Sequence, residues 1–105
     1  MEKEIICTEK HIVYLALGSN IGDKIKNLTS AIEEINNFIG QVTEVSSFFE
    51  NKPQGFKSHN IFLNACLICK TNLNPISTLK EIKKIEKKMG RQKSEGIYKD
   101  RIIDI

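Results

Sequence analysis

A chain of 105 residues, 40% hydrophobic and 28% charged, has the length and balance of one globular domain and argues against a disordered chain. A formal charge of +3, with no aromatic residues interleaved among the basic ones, excludes a general nucleic-acid binder and favours a small anionic ligand held locally. No run is apolar for long enough to span a bilayer, residues 1–10 lack the apolar core of a signal peptide, and three cysteines make no disulfide framework, so a cytoplasmic protein is expected.

Residues 11–17 (HIVYLAL) are nearly all apolar and end at Gly18, the pattern of a central strand buried on both faces. The polar stretch 18–23 (GSNIGD) turns the chain. Asp23 is placed to cap the next helix by accepting from its free backbone N–H groups. In residues 24–39 the apolar side chains Ile25, Leu28, Ala31, Ile32, Ile35, Phe38 and Ile39 make one helical stripe. Gly40 ends that helix and is expected there for its ease in the left-handed conformation. Residues 41–50 (QVTEVSSFFE) predict one strand from their β-branched and aromatic content.

Residues 51–60 (NKPQGFKSHN) form a loop of the length that more often carries function than mere connection. A second strong strand is predicted over 61–71 (IFLNACLICKT), with Asn64 as its polar interruption. Asn74 suits a helix cap and Pro75 the first helical position. The inner stripe is Ile76, Leu79, Ile82, Ile85 and Met89, with Lys80, Lys83, Lys84, Lys87 and Lys88 mostly outside it, and Gly90 closes the helix. A basic polar loop follows over 91–100, and 101–105 begin a last strand. The order β-α-β-β-α-β, without repeat or linker, predicts an α+β, ferredoxin-like fold: a mostly antiparallel sheet with both helices on one face. Residues 1–105 are expected to form one domain, incomplete at its C-terminal end.

Several tempting motifs fail on chemistry. Residues 18–24 (GSNIGDK) lack the four-residue gap and the Lys-Ser/Thr of a phosphate loop, so a plain strand-to-helix turn is expected. Cys66 and Cys69 form C-x-x-C, but no second pair or suitably spaced histidine completes a zinc site. Three residues apart on a strand, the two thiols point to opposite faces, and two small buried side chains are expected. His11 and His59 are isolated, and Ser19, Ser46 and Ser47 have no His/Asp partners for a hydrolase triad.

The two long loops carry more chemistry. The first holds Asn51, Pro53, Gln54 and Gly55, and the strand after it places Phe62 and Asn64 on one side. A ring beside a carboxamide can stack on a flat heterocycle and bond its edge, although such a pair also serves ordinary packing and backbone satisfaction. The second loop sends Arg91, Lys93, Tyr98, Lys99 and Arg101 toward Asp104. One acid behind several cations suits a magnesium–nucleotide complex, the acid holding the metal and the cations the phosphates. A solvated basic loop whose arginine pairs an aspartate gives the same pattern, and the loop by itself does not separate the two.

Taken together, ALGSNIGD at 16–23, VSSFF at 45–49 with Pro53 and Gly55, FLNA at 62–65, Ile85-Glu86 with Gly90-Arg91, and DRIIDI at 100–105 resemble the 6-hydroxymethyl-7,8-dihydropterin pyrophosphokinases. The blocks fall in order across nearly the whole chain from Val13 onward. That resemblance implies the ferredoxin-like core and a step of folate biosynthesis, in which ATP gives a pyrophosphoryl group to the pterin hydroxymethyl and leaves AMP. It implies two magnesium ions, one of their acids matching Asp104. Arg91 and Lys93 match a loop that closes over ATP, and Lys93 stands where many members have arginine. Arg101 matches a phosphate-binding arginine, Glu86 an acid on the nucleotide side, and Tyr98 a position often held by tryptophan. Asn64 and Phe62 match the pterin's amide partner and stacking ring, with Asn51, Pro53 and Gln54 beside them. The family has a further C-terminal portion, so these 105 residues alone are expected to be inactive or nearly so. Dihydropterin and ATP are the expected partners, with neither nucleic acid nor membrane, and monomer and homodimer both stay open. The alternative is a ferredoxin-like binding or interaction module without catalysis, because this fold hosts many functions.

Overall fold

The computed structural model describes residues 10–51, 61–90 and 103–105. Its elements are β1 (His11–Ser19), α1 (Lys24–Phe38), β2 (Gln41–Val45), β3 (Phe49–Asn51), β4 (Phe62–Thr71) and α2 (Pro75–Lys88). Strands β1, β2 and β3 all pair antiparallel with β4, which is therefore the centre of the sheet. Since β1 and β2 both oppose β4, they run parallel to each other with β4 between them, the split βαβ arrangement. On the other edge of β1, Asp104 makes an antiparallel bridge to Gly18. The result is the expected α+β, ferredoxin-like plan.

Alternation along the strands builds the core. Leu17 on β1 and Ala65, Leu67 and Cys69 on β4 are buried, and they pack in one cluster with Leu28, Ala31 and Ile35 of α1, Ile82 and Ile85 of α2, and Ile103. On the opposite face Tyr14 is 75% exposed and Ile12, Ala16 and Cys66 are exposed too. The apolar run of β1 is thus not buried on both faces as its composition predicts. Both helices lie on one side, so the second face stays uncovered among the described residues.

Caps end the helices as their sequence requires. Asp23 accepts from the Lys26 N–H at 3.1 Å, and Asn74 accepts from the Ser77 N–H at 2.8 Å with Pro75 in the first turn. Gly90 has φ +97°, a conformation open to glycine. Gly40 differs from expectation: it does not take a positive φ. Its reason is close approach, because a Cβ there would collide with the Lys70 carbonyl on β4. The same junction is clasped by Thr71, whose hydroxyl donates to the Ile39 carbonyl at 2.5 Å and accepts from the Leu73 N–H at 3.0 Å.

The stripes also shift. On α1, Leu28, Ala31 and Ile35 are buried, but Ile25 and Phe38 at its two ends are exposed. On α2 the buried line is Thr78, Ile82, Ile85 and Glu86, while Ile76 and Leu79 face solvent. Thr78 lies one turn before Ile82 on the inner line, so a threonine rather than an isoleucine fills the first turn.

The predicted strand over 41–50 is two segments. The Ser46 N–H donates to the Cys66 carbonyl at 2.8 Å, and the Cys66 N–H donates to Ser46 Oγ at 2.9 Å. The serine hydroxyl thus stands where a ladder carbonyl would, and regular pairing stops until Phe49. Val45 lies opposite Leu67 and Phe49 opposite Asn64, four steps against three, so the interruption inserts one residue.

The two thiols do face opposite sides, but Cys66 is exposed rather than buried. Cys69 is fully buried, and desolvation pushes its thiol up from the ordinary cysteine range. A thiolate-selective alkylating agent at neutral pH is therefore expected to label Cys66 in the folded protein and to reach Cys69 only after denaturation, read by peptide mass mapping. Gly40→Ala is expected to lower unfolding free energy by about 2–3 kcal/mol through the forced retreat of α1 from β4, and a denaturant midpoint unchanged from wild type would refute the close-approach explanation.

Candidate functional site

The registers place four residues in one row across the sheet. Phe49 lies opposite Asn64, Asn64 opposite Gly18, and Gly18 opposite Asp104. Residues directly opposite in antiparallel strands share a face. On one side the neighbouring row holds Leu17 and Ala65, and on the other it holds Ser19 and Ile103, all of them buried. The row of Phe49, Asn64, Gly18 and Asp104 therefore belongs to the open face. With neighbouring strands about 4.8 Å apart, the Asn64 and Asp104 backbones stand roughly 10 Å from each other.

Gly18 is the hinge of this row. Its N–H donates to the Asp104 carbonyl and its own carbonyl accepts from the Asp104 N–H, both at 2.8 Å. On its other side, a Cβ on Gly18 would come within 3.0 Å of Asn64 Oδ1 and 3.3 Å of the Phe62 ring. The missing side chain is what lets the carboxamide and the ring close over the backbone. Asn64 turns its amide nitrogen the other way, donating to Asn51 Oδ1 at 2.5 Å, with the Phe49 and Phe62 carbonyls each at 3.4 Å. Its Oδ1 thus presents an acceptor over Gly18, where the Phe62 ring also approaches. Such a pair suits a flat heterocycle with N–H groups along its edge.

Local bonds hold the frame of this corner. Lys24 Nζ donates to the Ile61 carbonyl at 3.0 Å, tying the start of α1 to the residue before Phe62. The Asn27 carboxamide donates to Ser19 Oγ at 3.1 Å and to the Ile21 carbonyl at 3.0 Å, and Ser19 and Asn20 are buried. The stretch after Gly18 is thus a rigid structural turn, with Gly22 at φ +76°.

Glu86 lies apart from the open face. It is buried on α2, where its Oε2 accepts from the Ile105 N–H at 2.9 Å and its Oε1 is 3.6 Å from Lys83 Nζ. Of the candidates from sequence, Phe62, Asn64 and Asp104 come together around Gly18, Asn51 joins them through Asn64, and Glu86 lies behind the segment that carries Asp104. Pro53, Gln54, Arg91, Lys93, Tyr98 and Arg101 lie outside the described residues. Gly18 and Phe49 were not among the candidates. A glycine closing an apolar strand is the signal that points to Gly18, whereas the place of Phe49 depends on the interruption at Ser46.

Among the described residues no group of three or more His, Cys, Asp or Glu side chains could cage a metal ion. Asp104 offers one carboxylate at the rim of the sheet. Magnesium keeps several waters and commonly takes one or two carboxylates together with substrate phosphates, so this donor fits an ion that arrives with a nucleotide rather than a resident one.

Residues 14–105 match the family of 7,8-dihydro-6-hydroxymethylpterin-pyrophosphokinase (HPPK). A 2-amino-4-hydroxy-6-hydroxymethyldihydropteridine pyrophosphokinase of Porphyromonas gingivalis is 44% identical over 96 residues, covering 90% of this chain and 65% of its own length. Proteins of the same description from Aquifex aeolicus and Bacillus subtilis are 44% and 40% identical, covering 76% and 77% of this chain and 49% of their own lengths. The chain thus spans about half to two thirds of these relatives. With the match running from Tyr14 through the Gly18 row to the segment that bears Asp104, the chain belongs to the dihydro-hydroxymethylpterin pyrophosphokinase family.

Proposed function

We propose that this chain carries the pterin-recognition residues and a metal-anchoring acid of an enzyme that transfers pyrophosphate from ATP to the hydroxymethyl group of 6-hydroxymethyl-7,8-dihydropterin, giving AMP, in folate biosynthesis. The observation that carries the reading is the register that sets Asn64 and Asp104 in one row on either side of Gly18, with Phe62 two residues from Asn64 on the same face. Family membership and the descriptions of the relatives support the same assignment.

In this reading Phe62 stacks on the pterin, Asn64 Oδ1 accepts from its edge, and Asn51 holds the Asn64 amide in that orientation. The family resemblance assigns Pro53 and Gln54 to pterin binding as well. Arg91, Lys93 and Arg101 are assigned to the phosphates and Tyr98 to ATP, whereas Glu86, matched by resemblance to an acid on the nucleotide side, is buried on α2 away from the open face. Asp104 would hold magnesium through a carboxylate oxygen. Magnesium, when bound, offsets negative charge on the phosphates as the transfer proceeds. The substrate hydroxymethyl oxygen bonds to the β-phosphorus while the bond from the β-phosphorus to the oxygen bridging the α- and β-phosphates breaks; AMP leaves with that oxygen, and the hydroxyl proton passes to solvent. The contribution of this chain is alignment: the row fixes the distance between pterin and phosphates before reaction, a task that suits pyrophosphoryl transfer without a strong base. Lysine at 93 keeps the charge of the arginine found in many members but loses its bidentate fork.

Calorimetry tests the reading on a protein of the relatives' length that contains these residues. A non-hydrolysable ATP analogue with magnesium is titrated first, then the pterin. Pterin uptake that requires the nucleotide, together with AMP formation when ATP is supplied, is expected. Pterin binding without any AMP would favour the non-catalytic module, and no pterin binding would refute the assignment. In the same protein Asp104→Asn is expected to lower kcat by on the order of 100-fold or more. Gly18→Ala is expected to weaken pterin binding by about tenfold, or roughly 1.4 kcal/mol, because Asn64 and Phe62 must both retreat. Unchanged values for these variants would remove the two residues from the site. The 105 residues alone are expected to show little or no turnover in a coupled AMP assay, and full turnover would overturn that expectation.

A further inference from the structure

We infer that Glu86 is a positioning residue for Asp104, acting through the backbone of Ile105 rather than by touching the nucleotide. This deepens the proposed function and rests on it for the role of Asp104. The N–H and carbonyl of Asp104 both turn toward Gly18, at 2.8 Å each. In an antiparallel pair the next residue turns its polar groups the opposite way, so the Ile105 N–H points to the outer edge. No described strand lies on that edge. The Glu86 carboxylate meets it instead, with Oε2 at 2.9 Å.

The setting makes this bond matter. Glu86 is only 4% exposed, and a carboxylate so placed needs hydrogen-bond donors to replace water. Lys83 approaches Oε1 at 3.6 Å, but the lysine side chain is 66% exposed, so that ion pair holds the carboxylate weakly. The bond from the Ile105 N–H, at 2.9 Å, is shorter and directional, and it depends on the reach of the side chain. The segment bearing Asp104 is thereby gripped from both edges: from β1 by the two Gly18 bonds, and from α2 by Glu86. Core packing adds a third restraint, since Ile103 is fully buried and Ile105 packs against the core cluster. What Glu86 adds is the setting of the outer edge, which decides how far the Asp104 carboxylate can swing.

Three substitutions separate reach from charge. Glu86→Gln keeps an acceptor at the same distance without charge. Glu86→Asp keeps the charge but is one methylene too short. Glu86→Ala loses both, and if it fails to fold the other two still decide. The first readout is amide hydrogen exchange by NMR on this chain without ligand. Ile105 is expected to be protected in wild type and Glu86→Gln, and to exchange at least tenfold faster in Glu86→Asp, while core amides such as Leu28 and Ile35 are unchanged. Equal Ile105 protection in wild type and Glu86→Asp would overturn the inference.

The second readout uses a protein of the relatives' length with ATP and varied magnesium. Glu86→Asp is expected to raise the half-saturating magnesium about fivefold with nucleotide affinity unchanged at saturating magnesium, and Glu86→Gln to match wild type. A wild-type-like Glu86→Asp with a damaged Glu86→Gln would mean that the charge itself contacts metal or nucleotide, and the inference would fall. If the wild type binds no magnesium–ATP at all, the proposed function fails instead, and the exchange result alone supports or overturns the grip of Glu86 on the Asp104 segment.

Discussion

The reciprocal pair of backbone bonds between Gly18 and Asp104 fixes more than a strand edge. It selects which face of the sheet the acid occupies. A slip of one residue would turn Asp104 toward the helices and carry Ile103 to the open face. Exposing a fully buried isoleucine forfeits about 2–3 kcal/mol, and burying an unpaired carboxylate costs several more. Core packing thus makes the choice, and the carboxylate follows. The same register carries across β1 to β4, so Asn64 and Asp104 are set against each other by backbone geometry.

Much of this frame is legible in the sequence for plain physical reasons. Asp23 and Asn74-Pro75 announce helix starts because their chemistry is local: a side-chain oxygen and a few free N–H groups within one turn. The run over 61–71 announces β4 because β-branched and apolar residues crowd it, and β4 is indeed the central strand. The facing of Phe62 with Asn64 follows from the two-residue period of a strand. The family resemblance adds Asp104, which composition and spacing single out only as an acid behind cations.

What stays hidden in the sequence is whatever depends on a partner distant along the chain. Ser46 sits in a stretch with every mark of a strand, yet its hydroxyl takes the Cys66 N–H that a ladder carbonyl would hold. That bond spans twenty positions, and no local pattern reveals it. Its consequence is specific: the inserted residue brings Phe49 opposite Asn64. The apolar run of β1 misleads for a related reason. Ile12 and Tyr14 are apolar but face away from both helices, and sequence period alone does not say which side of a sheet is covered. On α2, Ile76 and Leu79 carry the hydrophobic signal while Thr78 takes the inner place, since helix orientation is set by packing rather than by the apolar residues of one turn.

The glycines show how one residue type serves two unlike physical needs. Gly22 and Gly90 have positive φ, so their constraint is conformational and would be met in part by asparagine. Gly18 and Gly40 lack that backbone and are constrained by space instead. At Gly40 the neighbour is a backbone carbonyl of β4, which cannot rotate aside, so the requirement concerns the seating of α1 on the sheet. At Gly18 the neighbours are a carboxamide and an aromatic ring, which can turn. A side chain there would be accommodated by moving the two groups proposed to meet the pterin. The fold would survive such a change more readily than the site would. Position 18 is therefore where the demands of the sheet and those of the ligand part company: the sheet needs only the Gly18 backbone, and the ligand needs the Asn64 carboxamide and the Phe62 ring seated close above it.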